Sequence, residues 1–263
     1  GIINCNDKFT PCHKHTHISR EMYDKVIPEI VNEFVNAGFY ETEKFFEKQI
    51  DVNKEYNHLI IDTVDINSIT AQKTSKSNTI IRKYMPHIYE VEDYRGNNIV
   101  KLWKKENIEK AFKSLDKPNY TVNSQFSEFK RAIKFNPVTI YSPIMTKSIV
   151  KELNCKTVFD PCIGWGGRMI GTTCLGADYH YTGCEPFTKT FIGLEEMVKD
   201  LCIENQVSLY NKGVETVLEE IDDKMFDMCL TSPPYFDLEV YSHESTQSIK
   251  NYKTYKEWIN GFI

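Results

Sequence analysis

What this sequence lacks narrows it first. No apolar run is long enough to cross a membrane, and no secretory leader pattern opens the chain. It starts on Gly1 rather than Met, so a trimmed or engineered N-terminus is expected. None of its eight cysteines forms a Cys-x-x-Cys pair, which removes the common zinc-ribbon and thiol–disulfide motifs. Several lie in apolar, strand-like runs, as buried reduced thiols of an intracellular, non-secreted protein do. There is no Gly-Lys-Ser/Thr, so no glycine loop of the NTPase phosphate-cradling type. Repeats and low-complexity segments are absent, and so is a positive balance: the net charge is −5.

What is present fits two ordinary domains. The chain has 263 residues, 41% of them apolar. Its charge is uneven. Residues 1–131 hold 20 Lys and Arg against 19 Asp and Glu, and residues 132–263 hold 12 against 18. The first half is therefore the better platform for a polyanion. The shift near residue 130 sets the expected boundary: a smaller mixed α+β domain over 1–130, and an α/β domain over 131–263.

In the first domain, Cys5, Cys12, His13, His15 and His17 match none of the usual zinc spacings, so they read as a polar leader and no metal is expected. Ser19 caps a helix to Ala37 with one apolar stripe through Val26, Ile30 and Phe34; Pro28 is a kink site and Gly38 a stop. A second helix is expected after Thr42. His58–Ile66 reads as a strand, and His87–Tyr94 with Asn98–Trp103 as a hairpin turning at Arg95-Gly96-Asn97. Lys101, Lys104, Lys105, Lys110, Lys113 and Lys117, interleaved with Trp103 and Phe112, form either a phosphate-tracking face or a solvated helix face.

The second domain opens with a helix expected over Pro143–Leu153. Thr157-Val158-Phe159 is a buried strand that runs into Asp160-Pro161-Cys162-Ile163-Gly164-Trp165-Gly166-Gly167-Arg168, with a helix to follow through Leu175. Strand, glycine loop and helix make up the nucleotide-binding turn of a doubly wound sheet. A second strand, from Tyr181, ends at Glu185, 25 residues after Asp160. That is close to the ~20-residue offset at which an acid grips ribose hydroxyls. Val207–Tyr210 is the third strand, followed by Gly213.

The apolar half of Lys224–Leu230 reads as a short buried strand, the fourth, and it runs into Thr231-Ser232-Pro233-Pro234-Tyr235-Phe236-Asp237. Two prolines forbid both helix and ladder pairing, so a stiff loop projects from the strand's C-terminal end. Ser232 and the Pro233 carbonyl are set to accept hydrogen bonds there, and Tyr235 to present a flat face. Asp237 and Glu239 either shape that pocket or are solvated loop acids.

With these motifs the chain resembles the DNA amino-methyltransferases, which methylate N6 of adenine or N4 of cytosine using S-adenosylmethionine. The resemblance covers about residues 135–263, and is nearest to phage- and virus-type DNA methylases of the restriction–modification kind. It implies an α/β, Rossmann-like fold. It also implies a catalytic set of Ser232, Pro233, Pro234 and Tyr235 acting on a base flipped out of DNA. For the cofactor it implies Phe135 and Pro137 at the methionine end and the Pro161–Gly164–Gly166 loop under the amino-acid tail. Asp160 lies near the ammonium, Glu185 on the ribose, and Phe187 over the adenine. Relatives carry an acid right after the third-strand glycine; Val214 stands there, and Glu215 is the substitute. Such sheets continue for three more strands, whereas this chain ends at Ile263, so a missing segment or a partner chain is expected to complete the sheet. The alternatives are an RNA amino-methyltransferase (guanine N2 or adenine N6), or a retired methyltransferase kept as a DNA-binding or assembly subunit. No cysteine follows a proline at the fourth strand, which disfavours C5-cytosine chemistry.

Overall fold

A computed structural model describes residues 20–46, 50–62, 77–114, 138–221 and 225–262. In chain order its helices are α1 (Arg20–Phe46), α2 (Val52–Ile61), α3 (Asn78–Tyr84), α4 (Lys105–Lys113), α5 (Pro143–Glu152), α6 (Gly167–Thr173), α7 (Thr188–Asp200), α8 (Val214–Ile221), α9 (Ser248–Asn251) and α10 (Tyr255–Gly261). The strands are β1 (Glu92–Asp93), β2 (Thr157–Asp160), β3 (His180–Cys184), β4 (Val207–Tyr210), β5 (Met228–Cys229) and β6 (Glu239–Val240).

The chain divides into two units, Gly1–Gln49 with Arg95–Pro137, and Ile50–Tyr94 with Val138–Ile263. The division is thus discontinuous rather than the single cut near residue 130 that composition led us to expect.

In the first unit α1 buries Ile27, Ile30, Val31 and Phe34, one stripe at helical spacing. Phe34 meets Phe112 of α4 edge-on at 5.3 Å, and its carbonyl accepts a hydrogen bond from Trp103 Nε1. Pro28 stays within the helix, and the break falls at Gly38 (φ 79°, ψ 169°). The helix resumes at once, before Thr42, whose hydroxyl donates back to the Gly38 carbonyl. In α4 the apolar side is buried, while Lys105, Lys110 and Lys113 are exposed. The Cys/His leader and Lys117 lie outside the described residues.

The second unit is a mixed α/β body around a parallel sheet of order β4-β3-β2-β5. Val158, Phe159, Tyr181 and Cys184 are buried, as parallel strands flanked by helices demand. The chain runs outward from β2 through β3 to β4, then crosses back to β5 on the far side of β2. That reversal creates a switch point between β2 and β5, an order compatible with a Rossmann-like sheet. At its edge β5 is short, with Cys229 exposed, and Met225 just before it is 94% exposed. The short strand expected in the apolar half of Lys224–Leu230 is present as two residues, half-buried and exposed rather than buried, and 222–224 lie outside the described residues.

Residues 50–94 join this unit through specific contacts. Leu59, Ile80, Ile81 and Tyr84 share one core with Val158, Met169, Leu194 and Met197. Tyr56 Oη meets Thr173 Oγ1 at 3.1 Å, and Tyr84 Oη donates to Asp200. Buried Lys147 donates from Nζ to the carbonyls of Leu59, Ile60 and Asp62, closing the C-terminal end of α2. Burial lowers its pKa.

Two local expectations are corrected here. His58–Ile61 is helix, not strand: Asp51 caps α2 by accepting from Lys54 N–H, and Val52, Tyr56 and Leu59 are buried at helical spacing. The β-branched content was a weaker signal than that period. The hairpin is also absent. Pro86 starts a 3₁₀ turn through Glu90, residues 99–102 are turns, and β1 pairs antiparallel with β6 (Glu92 with Val240).

Candidate active site

The loops leaving β2 and β5 face one cleft at the switch point, about 1300 Å³ with its open mouth included. From the β2 side it is lined by Pro161, Cys162 and Gly164; from beyond β3 by Glu185 and Phe187; from beyond β4 by Glu215. Ser232, Pro233, Pro234 and Tyr235 line it from the β5 side. Leu230 N–H makes the last ladder bond, to the Phe159 carbonyl, and the prolines then release the chain. Tyr235 is 58% exposed. Phe236 follows with φ 50°, a conformation L-residues rarely adopt, and packs on Tyr255 and Trp258.

Asp160 and Gly166 do not line the cleft. Asp160 is fully buried behind it. One of its oxygens accepts from Arg168 Nε at 2.6 Å and from Tyr181 Oη at 2.5 Å, and the other accepts the Cys162 N–H. Its lone pairs are committed inside the protein, so the expected approach to a ligand ammonium is not what this geometry offers. Gly166 (φ 83°) caps α6, and a Cβ there would lie 2.7 Å from Leu194 Cδ2. It is a packing glycine. Gly164 (φ 58°) has nothing within 4 Å of a Cβ, because that side faces the cleft. Phe135 and Pro137 lie outside the described residues.

Arg168 is the residue that sequence reasoning left without a role. It bridges the two loops, pairing with Asp160 while its Nη1 donates to Ser232 Oγ at 3.1 Å and its Nη2 to the Cys162 carbonyl. Its guanidinium also sits over the Tyr141 ring. Burial works against its charge, but Asp160 holds its pKa above the ordinary value. The available signal was a lone cation in an otherwise uncharged glycine turn.

Glu185 is held differently. One oxygen accepts Gly164 N–H at 3.0 Å and the other Phe187 N–H at 2.8 Å, and no cation faces it in these bonds. Burial pushes its pKa up to about 8, against those two bonds. Phe187 packs edge-on against His87 at 5.2 Å. His87 Nε2 meets Thr190 Oγ1, and burial lowers the His87 pKa to about 4, so the ring is neutral. Burial pushes the Cys162 thiol up to about 12, so the cysteine in the cleft is not a thiolate nucleophile. Opposite, the Tyr241 hydroxyl donates to Glu239, and both residues line the cleft. Tyr241 is a second residue that the motifs did not single out.

No protein-family model matches the chain, and no curated protein matches it. Among solved structures it is similar to one described as a caffeoyl-CoA O-methyltransferase from Staphylococcus aureus, with 20% identity and a TM-score of 0.31. The match covers 42% of this chain and 53% of that one, so it spans about half of that protein's length. Among the described residues no helix is long and apolar enough to cross a membrane.

Proposed function

We propose that the chain is an S-adenosylmethionine-dependent methyltransferase acting on an exocyclic amine of a DNA base, N6 of adenine or N4 of cytosine. The observation that supports this reading is the convergence of the glycine loop after β2 and the Ser-Pro-Pro-Tyr loop after β5 on one cleft at the switch point of a parallel sheet.

The cleft also fits the cofactor chemically. Gly164 keeps backbone open to a ligand. Glu185 uses one acceptor site per oxygen on backbone N–H groups, leaving lone pairs for ribose hydroxyls. Glu215 lines the same cleft with a buried oxygen that has no partner. When bound, the cofactor supplies a methyl group on a sulfonium.

Everything else falls to the protein. An aromatic amine is a weak nucleophile because its lone pair is delocalised into the ring. Ser232 Oγ and the Pro233 carbonyl accept its two hydrogens and draw the nitrogen toward tetrahedral geometry. Arg168 fixes Ser232 for that task. Tyr235, exposed at the mouth, stacks on the base, which leaves the duplex at a cost of a few kcal/mol. Orientation supplies most of the acceleration.

The test is mass spectrometry of nucleosides after incubation with labelled cofactor and duplex DNA, single-stranded DNA or RNA. Labelled N6-methyladenine or N4-methylcytosine from DNA is the expected product. Label in RNA alone moves the reading to an RNA enzyme, and cofactor binding without turnover on any of the three moves it to a retired subunit. Tyr235→Ala should slow product formation roughly 5- to 150-fold, the equivalent of the roughly 1–3 kcal/mol that base stacking is worth, while leaving S-adenosylhomocysteine affinity within about twofold; undiminished turnover sinks the stacking role.

A further inference from the structure

We infer that the side-chain amide of Gln247 reads the adenine edge of the cofactor, a contact made by the segment that follows the catalytic loop. The inference rests on the S-adenosylmethionine reading above and adds a residue to it.

Gln247 is 8% exposed and lines the cleft, and its Nε2 is buried without any hydrogen-bond partner. The amide thus holds a buried donor that no acceptor of the protein meets. Native proteins leave few such atoms unmet unless a ligand meets them.

The position is pinned. Thr246 Oγ1 donates to the Pro186 carbonyl at 3.0 Å, and Thr188 donates from both its N–H and its hydroxyl to the Glu244 carboxylate. Gln247 N–H donates to the Glu244 carbonyl. These bonds tie residues 244–247 to the turn beyond β3 that carries Phe187, not to the Ser-Pro-Pro-Tyr loop. The amide therefore belongs to the nucleoside end of the cleft rather than to the base-accepting end.

Its chemistry is selective. Glu215 brings an unmet acceptor to the cleft, and Gln247 brings an unmet donor. Adenine presents the complementary pair, an amine hydrogen and a ring nitrogen, and glutamine is a natural match for that edge. Guanine would set its O6 against the Glu215 carboxylate, so the pair selects adenine.

Calorimetry with S-adenosylhomocysteine tests this on wild type and Gln247→Leu. The Leu variant should bind about tenfold more weakly. Its ligand-free melting temperature should hold or rise, because an unmet buried amide is replaced by an apolar group. With 1-deaza and 7-deaza analogues, wild type should lose a similar factor for whichever nitrogen accepts the bond, and the Leu variant should lose nothing further for that analogue. Wild-type binding with unchanged affinity in Gln247→Leu overturns this inference alone. So does a full penalty that persists with both deaza analogues. No binding by the wild type removes the cofactor reading and this inference with it. If Gln247→Leu and Gln247→Met both melt lower without ligand, the amide is structural and the inference fails.

Discussion

Asp160 and Glu185 stand at the ends of adjacent parallel strands, both buried, and they are treated in opposite ways. Asp160 is ringed by a guanidinium, a phenol and a backbone N–H. Glu185 has two backbone N–H groups, and burial raises its pKa to about 8. The first arrangement spends a carboxylate on joining two loops: Arg168 carries its effect across to Ser232. The second keeps a carboxylate under-solvated at the edge of a cleft, where hydroxyls of a ligand would meet its spare lone pairs. Two acids of similar burial thus do unlike work because one faces a buried cation and the other faces a cavity.

The comparison breaks most readily at Asp160. Asp160→Ala leaves Arg168 charged and buried without its partner, and should cost roughly 3–5 kcal/mol in a urea unfolding experiment. A loss below 1 kcal/mol would mean that the pair is not what joins the loops.

Glu185 should show its difference through pH. Between about 4.5 and 8 the native protein holds a proton that the unfolded chain has released. Ligand-free stability should therefore fall as pH rises through that window, by a few kcal/mol in all. Glu185→Gln should flatten the profile and be the more stable protein at pH 8. Cofactor affinity should run the other way. It should rise with pH by up to about tenfold per pH unit below 8 in wild type, since the hydroxyls need the ionised carboxylate, and stay flat in the variant. Calorimetry across pH 6–9 reads both the slope and the proton released.

The two loop glycines sharpen the same contrast at smaller scale. Gly166→Ala adds to a left-handed backbone penalty (φ 83°) a methyl driven into Leu194, and should cost roughly 2–5 kcal/mol of stability. Gly164→Ala meets only the left-handed backbone penalty, about 1–2 kcal/mol, but places its methyl where ligand backbone contact is expected. Its larger effect should be on S-adenosylhomocysteine affinity. Equal stability and binding losses for the two would erase the distinction between packed floor and open wall.

Much of the second unit could be read from residues alone. Val207–Tyr210 is the strand expected, β2 and β3 lie within a residue of their expected ends, and α5 begins at Pro143 as its first-turn proline indicates. The glycine turn and the double proline stop pairing where they should, and their loops reach one cleft. Residues 50–94 were harder. Val52, Tyr56 and Leu59 make a short stripe that local β-branched content outweighed on paper, and their burial depends on α5 and α6, far along the chain.

What sequence by itself determined was local: period, strand ends, and the turns that glycine and proline dictate, all settled within a few residues by backbone sterics. A parallel α/β sheet was legible because strands alternated with helices. Only tertiary structure decided the partners of buried charge. That Asp160 answers to Arg168 and Tyr181, that Arg168 reaches Ser232 64 positions away, and that Lys147 closes α2 depend on where the whole fold leaves a charged group without water. A buried charge takes the nearest partner in space, and nearness in space is set by packing.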